Sequence, residues 1–195
     1  MSNLTKFFNG GVHGKELMKN LDDAIAWENE TVSNHSPCSV KNNEKVARQI
    51  HSPIHVMETN PNQLTNLAFE DMINKGLSIN RLKYAISKDD LHKRGREKAA
   101  RDRKGSSTRK AKPDRKYFGL AFANVIDIRS VVENDKRCFV IYDTSSVSCP
   151  SHADLYCIIN DCRNEMVKTR QARKLQKIFS TIEKDPNQEI NTSEK

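Results

Sequence analysis

Four residues able to handle an anion stand at the ends of apolar stretches: Arg81 after Leu77-Ser78-Ile79-Asn80, Arg129, Asp143 and His152. An arginine leaving a short strand reaches a phosphate, a helix N-terminus favours bound anions, and strand-end loops commonly carry sites. Arg81, Arg129, Asp143 and His152 are therefore the expected catalytic frame of a small enzyme or effector acting on a nucleotide or phosphate ester. His51, His55 and Asp154 belong to the same diffuse set.

A second group of residues is electrostatic. The 195 residues hold 33 Lys and Arg against 25 Asp and Glu, a formal net charge of +8. Residues 88–116 contain 13 of the cations and 5 of the carboxylates, so this one segment carries the whole excess and the remainder balances. Its Lys93, Arg94, Arg96 and Lys98, then Arg101, Arg103 and Lys104, then Arg109, Lys110 and Lys112 are almost free of aromatic residues until Tyr117-Phe118. Such text attracts phosphate backbones by releasing counterions, without reading bases. A second basic stretch, residues 163–177, places Arg170, Arg173, Lys174 and Lys177 on one helical face, and the two stretches are expected to flank a hairpin as one patch. The leading expectation is a cytoplasmic accessory protein that binds nucleic acid, DNA or RNA, or a complex containing it, with tolerance of sequence. An acidic protein partner would be served by the same charge.

Other spacings point to chemistry that their own details withdraw. Cys149, His152, Cys157 and Cys162 have the intervals of a retroviral-type zinc knuckle, but that family places Cys second and His third. Zinc needs ligands that converge as a tetrahedron, and Ala153-Asp154-Leu155-Tyr156 reads as helix, where residues five apart diverge by about 140°. No metal site is expected. Val140-Ile141-Tyr142-Asp143-Thr144-Ser145 is similar to the Asp-Thr-Gly loop of aspartic proteases, with Ser145 where a tight turn favours Gly. A strand-end Asp that caps a turn is the simpler reading. No Gly-rich phosphate loop, His-Glu-x-x-His or Gly-x-Ser-x-Gly is present, and no cofactor is expected.

The elements that must hold these residues read as an α+β fold: a small antiparallel sheet, with a hairpin at about 120–142, packed with helices and carrying a flexible basic insertion. Residues 1–87 form a mostly helical first half of one domain, with helices expected at 14–30, 45–50 and 60–75 and a short strand at 54–57. In 60–75, Asn60 caps, Pro61 opens and Gly76 closes the helix. Residues 88–116 are a linker or conditional helix, since Leu91, Ala99 and Ala100 offer little to anchor it. Residues 117–182 supply the hairpin and a long helix opened by Ser151 and Asp154, with Leu155, Ile158, Cys162 and Met166 inward. Residues 183–195 are a tail. Leu, Ile, Val and Phe supply 43 residues, which is low for so large a core. The first residues lack the basic-then-apolar build of a signal peptide, and no apolar run approaches the roughly 18 residues of a membrane span.

Overall fold

Residues 45–52 alternate across a sheet, with Val46 and Ile50 on one side and Ala47 and Gln49 on the other. They form a strand, β1 (Lys45–Ser52), rather than the expected short helix. The structure, a computed structural model, describes residues 21–31, 38–161 and 163–187. Helix α1 (Leu21–Ala26) runs into a 3-10 turn, Trp27–Asn29. The following elements are β1, β2 (Leu77–Arg81), helix α2 (Lys88–Lys104), β3 (Lys116–Asn124) and α3 (Val125–Arg129). The small strands β4 (Val132–Glu133) and β5 (Lys136–Arg137) pair with each other. Then come β6 (Phe139–Asp143), β7 (His152–Cys157), α4 (Glu165–Ile178) and β8 (Thr181–Lys184).

The fold is α+β, with six strands in an antiparallel sheet of order β6-β7-β2-β1-β3-β8. The turn expected at 133–136 exists, with Asn134 and Asp135 in the left-handed conformation that a two-residue hairpin loop demands. Its arms are only β4 and β5. The longer strands β3 and β6 have three strands between them: β3 sits between β1 and β8, and β6 pairs with β7.

Three further expectations are corrected. Residues 60–75 are turns followed by a 3-10 turn, Asn66–Met72, that buries Ala68, Phe69 and Met72 but leaves Leu67 exposed. Gly76 does take the left-handed φ of +83°, yet it feeds β2 directly, and the Tyr156 ring stands where a Cβ would project. The Ser151–Asp154 spacing opens no helix. Residues 152–157 are β7, whose two faces are both covered in part, so the apolar alternation that marks a half-buried strand is muted. The last helix starts at Glu165, capped by the Asn164 side chain, and Met166 points outward. Of the expected first helix, residues 14–20 lie outside the described residues; in the remainder Ala24 and Glu28 turn inward while Ile25 is exposed. Residues 181–184 are the edge strand β8 and Asp185 is buried, whereas 188–195 lie outside the described residues.

One face of the sheet buries Val46, Ile50, Leu77, Ile79, Ala121 and Leu155 against α4 and the 3-10 turn, through Ala172, Leu175, Phe179 and Phe69. The opposite face is covered at its two ends only. At one end α2 packs Leu91 on Ala47, Leu120 and Phe122. At the other, Ala24 and Trp27 cover Val140, Tyr142, Tyr156 and Ile158. The middle of that face presents Gln49, Ser78, Asn80, His152 and Asp154, a polar floor between two apolar ends.

Helix α2 anchors with few apolar side chains because Leu91, Gly95 and Ala99 recur every four residues and are all buried. At Gly95 the Tyr117 ring occupies the space of a Cβ, so the helix axis approaches β3 closely. Ser87 caps the N-terminus by accepting from the Asp90 amide. Asp89 and Asp90 in the first turn and Arg101, Arg103 and Lys104 in the last complement the helix dipole. Lys88 to Glu183 and Arg96 to Asp185, each at 2.6 Å, pin it to the β8 edge. The basic segment is therefore a layer of the fold up to Lys104.

Candidate anion cavity

The ladder between β1 and β2 holds only at Val46↔Arg81 and Ala47↔Asn80, while β1 continues against β3 to Ser52. The opening strands leave a gap, and the Arg48 side chain fills it. Arg48 Nε donates to the Ala68 carbonyl at 2.6 Å and Nη1 to the Ser78 carbonyl at 2.9 Å. The residue is 6% exposed, and among the described residues no carboxylate pairs with it. Burial lowers its pKa to about 10, with Asp71 and Asp154 opposing at longer range.

This gap opens into a cavity of about 990 Å³. Its floor is Gln49, Ser78 and Asn80, one wall is Lys98 and Arg101 of α2, and the loop 105–115 closes over it. Nine Lys and Arg line it against two carboxylates, Asp71 and Asp102. Arg115, 8% exposed, is a second buried guanidinium without a carboxylate among the described residues, and its Nε has no hydrogen-bond partner there. His51, 1% exposed, faces the cavity with neither ring nitrogen partnered. Burial, reinforced by Lys98 and Arg115, lowers its pKa to about 3, so the ring is neutral and offers one donor and one acceptor. His55, whose Nδ1 accepts from the His51 amide, is likewise pushed well below the ordinary value by burial and by Arg48. Lys98 is lowered too, by desolvation and then by Arg48.

On the floor, Ser78 Oγ lies 2.6 Å from His152 Nε2, and His152 Nδ1 lies 2.7 Å from Thr144 Oγ1. Thr144 Oγ1 donates to Asp154 Oδ2 at 2.8 Å. The proton count assigns the tautomer. With Asp154 as a carboxylate, the single Thr144 hydrogen is committed to it, so Thr144 accepts from Nδ1–H. His152 Nε2 is then bare and accepts from the Ser78 hydroxyl.

The four residues expected as a catalytic frame are placed in three locations. Arg81 is 0% exposed and spends its guanidinium on Glu44 in two hydrogen bonds, on the Cys38 and Ser39 carbonyls, and on Asp143 at 3.3 Å. Desolvation opposes the charge of Arg81, but the Glu44 and Cys38 contacts outweigh it and raise its pKa; burial raises Asp143. Burial also opposes ionisation of Glu44, and the Arg81 hydrogen bonds override it to hold the carboxyl low. This is an interior cluster, and no N–H of Arg81 is left for a ligand. Asp143 also accepts from the Ser145 amide, the turn cap that its strand-end position suggests. Arg129 lies by another cavity, of about 480 Å³, where Glu28 is shared between Arg129 and Arg137. His152 does not itself line the cavity but hydrogen-bonds the floor residue Ser78.

The expected nucleic-acid residues divide as well. Lys98, Arg101, Lys104, Arg109, Lys110 and Lys112 line the cavity. Arg94 is turned to Asp90, Cys149 and Ser151, Arg96 to Asp185, and Arg103 to the Arg115 carbonyl, while Lys93 is exposed on α2. Helix α4 packs on the other face of the sheet, so its cations and those of α2 do not form one patch. Its Arg170 and Lys174 are bound to Glu133, which Lys174 first and Gln171 next hold at a pKa of about 2; Arg173 and Lys177 are exposed. Arg48 and Ser78 escaped the sequence reading as site residues, while Arg115 lies in the basic segment that reading marked. Arg48 was hidden by the helical reading of 45–50. Arg48 and His51, three residues apart on β1, both line this cavity.

Among the described residues no group of three or more His, Cys, Asp or Glu is placed to hold a metal ion. β7 is extended, which sends His152 and Cys157 to opposite faces of the sheet, and Cys162 lies outside the described residues. No described helix is long and apolar enough to cross a membrane. No family model, curated protein or solved structure matches the chain.

Proposed function

We propose that the protein binds nucleic acid by seating a backbone phosphate in the cavity between β1, β2 and α2. The observation that carries this reading is that two buried guanidinium groups, Arg48 and Arg115, line one cavity and neither has a carboxylate partner among the described residues. A buried charge without a counter-ion is costly, and a phosphate supplies the missing anion together with acceptors for both forks. The volume suits a nucleotide-sized unit. The exposed Arg101, Arg109 and Lys110 extend positive charge past the cavity mouth along a neighbouring stretch of backbone. Binding of this kind is salt-dependent and tolerant of sequence, with neutral His51 among the groups that meet a base or sugar edge.

Fluorescence anisotropy of labelled 12-residue DNA and RNA strands, titrated between low and moderate salt, tests the reading. Each single-strand phosphate contact contributes a slope of about 0.7 in log affinity against log salt. Arg48→Met with Arg115→Met removes the one phosphate contact they share and is expected to lower the slope by roughly 0.7, whereas Arg173→Ala with Lys177→Ala on α4 leaves it unchanged. No binding at low salt, or binding indifferent to the first pair and sensitive to the second, overturns it. Competition by polyglutamate at equal charge concentration would instead favour an acidic protein partner.

A further inference from the structure

We propose that Ser78 is a nucleophile toward phosphate esters held in this cavity and that His152 is its general base, an inference that rests on the phosphate reading above. The geometry is that of an activated serine. Its Oγ lies 2.6 Å from His152 Nε2, Thr144 Oγ1 holds Nδ1 at 2.7 Å, and Asp154 accepts from Thr144 and stands 3.8 Å from Nε2. Ser78 lines the cavity floor, and its backbone carbonyl accepts from Arg48 Nη1. A phosphate drawn in by the cations that line the cavity meets this hydroxyl on the floor, and those cations offset the charge that grows on the phosphoryl oxygens.

The chemistry closes without another cofactor. Ser78 Oγ forms a bond to phosphorus as its proton passes to His152 Nε2, and the bond from phosphorus to the leaving oxygen breaks. That oxygen takes the proton back from Nε2, giving an alcohol and a phosphoserine ester. Water then attacks the ester with His152 accepting its proton, the Ser78–phosphorus bond breaks, and Oγ recovers the proton from His152. The sum is hydrolysis of one phosphate ester bond by one water. Thr144 and Asp154 are positioning residues, since they act through the imidazole.

The test uses the full chain with the 4-nitrophenyl ester of thymidine 5′-phosphate as substrate, and the labelled strands as a separate binding probe. Wild-type protein is expected to release nitrophenolate, and an acid quench to trap a phosphorylated peptide containing Ser78. Ser78→Ala should lower turnover at least ~100-fold while the strand affinity stays within about twofold, and His152→Asn should act similarly on turnover. Thr144→Val should shift the acidic limb of the pH–rate profile, and Thr144→Ser should restore it. Strand binding without wild-type turnover, or turnover unchanged in Ser78→Ala, overturns the nucleophile while leaving the binding reading intact. Absence of both binding and turnover overturns both.

Discussion

Lowering the pH should destabilise this protein well before its carboxylates titrate, and His51 supplies a magnitude. Its pKa is about 3 in the fold, depressed by burial and then by Lys98, Arg115 and Arg48, against about 6.5 in an unfolded chain. The unfolded state therefore takes up the proton first as pH falls. Stability from this group is complete above about pH 6.5 and is lost as pH drops toward 3, at a slope approaching 1.4 kcal/mol per unit. Between pH 7.5 and 4.5 His51 alone costs about 2.7 kcal/mol, and His55, shifted the same way, adds to it. That is a large share of the roughly 5–15 kcal/mol that holds a domain together. Urea denaturation followed by circular dichroism at half-unit steps from pH 7.5 to 4.5 measures the slope, and His51→Gln should reduce it by about 1 kcal/mol per unit below pH 6. Glu44, Glu133 and Glu183 are all held low and act in the same direction, but at lower pH. Saturating oligonucleotide should also flatten the slope, because a phosphate offsets the cations that help to depress the ring. An identical slope in wild type and His51→Gln would refute the burial argument, and with it the neutral ring in the cavity.

Other consequences separate the two buried arginines and test the packing of α2. Arg81→Met leaves Glu44 and Asp143 buried without their cation and should cost about 3–5 kcal/mol in urea denaturation. Arg48→Met strands only two carbonyls and removes a charge that had no carboxylate partner, so its cost should stay below about 1.5 kcal/mol in the same assay. Equal losses for the two would contradict the distinction between a structural and a ligand-facing arginine. Gly95→Ala, which ordinarily stabilises a helix interior by nearly 1 kcal/mol, should instead destabilise by roughly 1–3 kcal/mol, because its Cβ meets the Tyr117 ring. A raised midpoint of thermal unfolding would show that α2 does not sit as closely on β3 as described.

The fold class, the strand at Leu77-Ser78-Ile79 and the left-handed Gly76 were legible because each rests on a local rule. The concentration of charge in 88–116 was legible too, and most of the residues it marked in 98–112 do face the cavity. What misled was local chemistry shared by two structures. Asn60-Pro61 opens a helix or a turn, and Ser151 with Asp154 marks a cap or two residues of a strand; tertiary pairing with β2 and β6 decides the second case. Strands β1 and β7 lie inside the sheet with both faces partly covered, so apolar and polar residues do not alternate cleanly along them. The cavity was the least legible feature. It depends on where a ladder stops, and nothing in Val46-Ala47-Arg48-Gln49 announces that β1 and β2 part after Ala47. Nor does composition distinguish Arg81, enclosed by carboxylates and carbonyls, from Arg48, which has only carbonyls.

The claim that Arg48 and Arg115 are held for an incoming phosphate is tested most directly by nitrogen-15 NMR of the arginine Nε–H groups during titration with a 5′-phosphorylated trinucleotide. The Arg48 and Arg115 resonances should shift saturably and together, while Arg81, already committed to Glu44 and Asp143, stays in place as an internal control. Movement of exposed arginines alone, with Arg48 and Arg115 unchanged at saturation, would contradict the account.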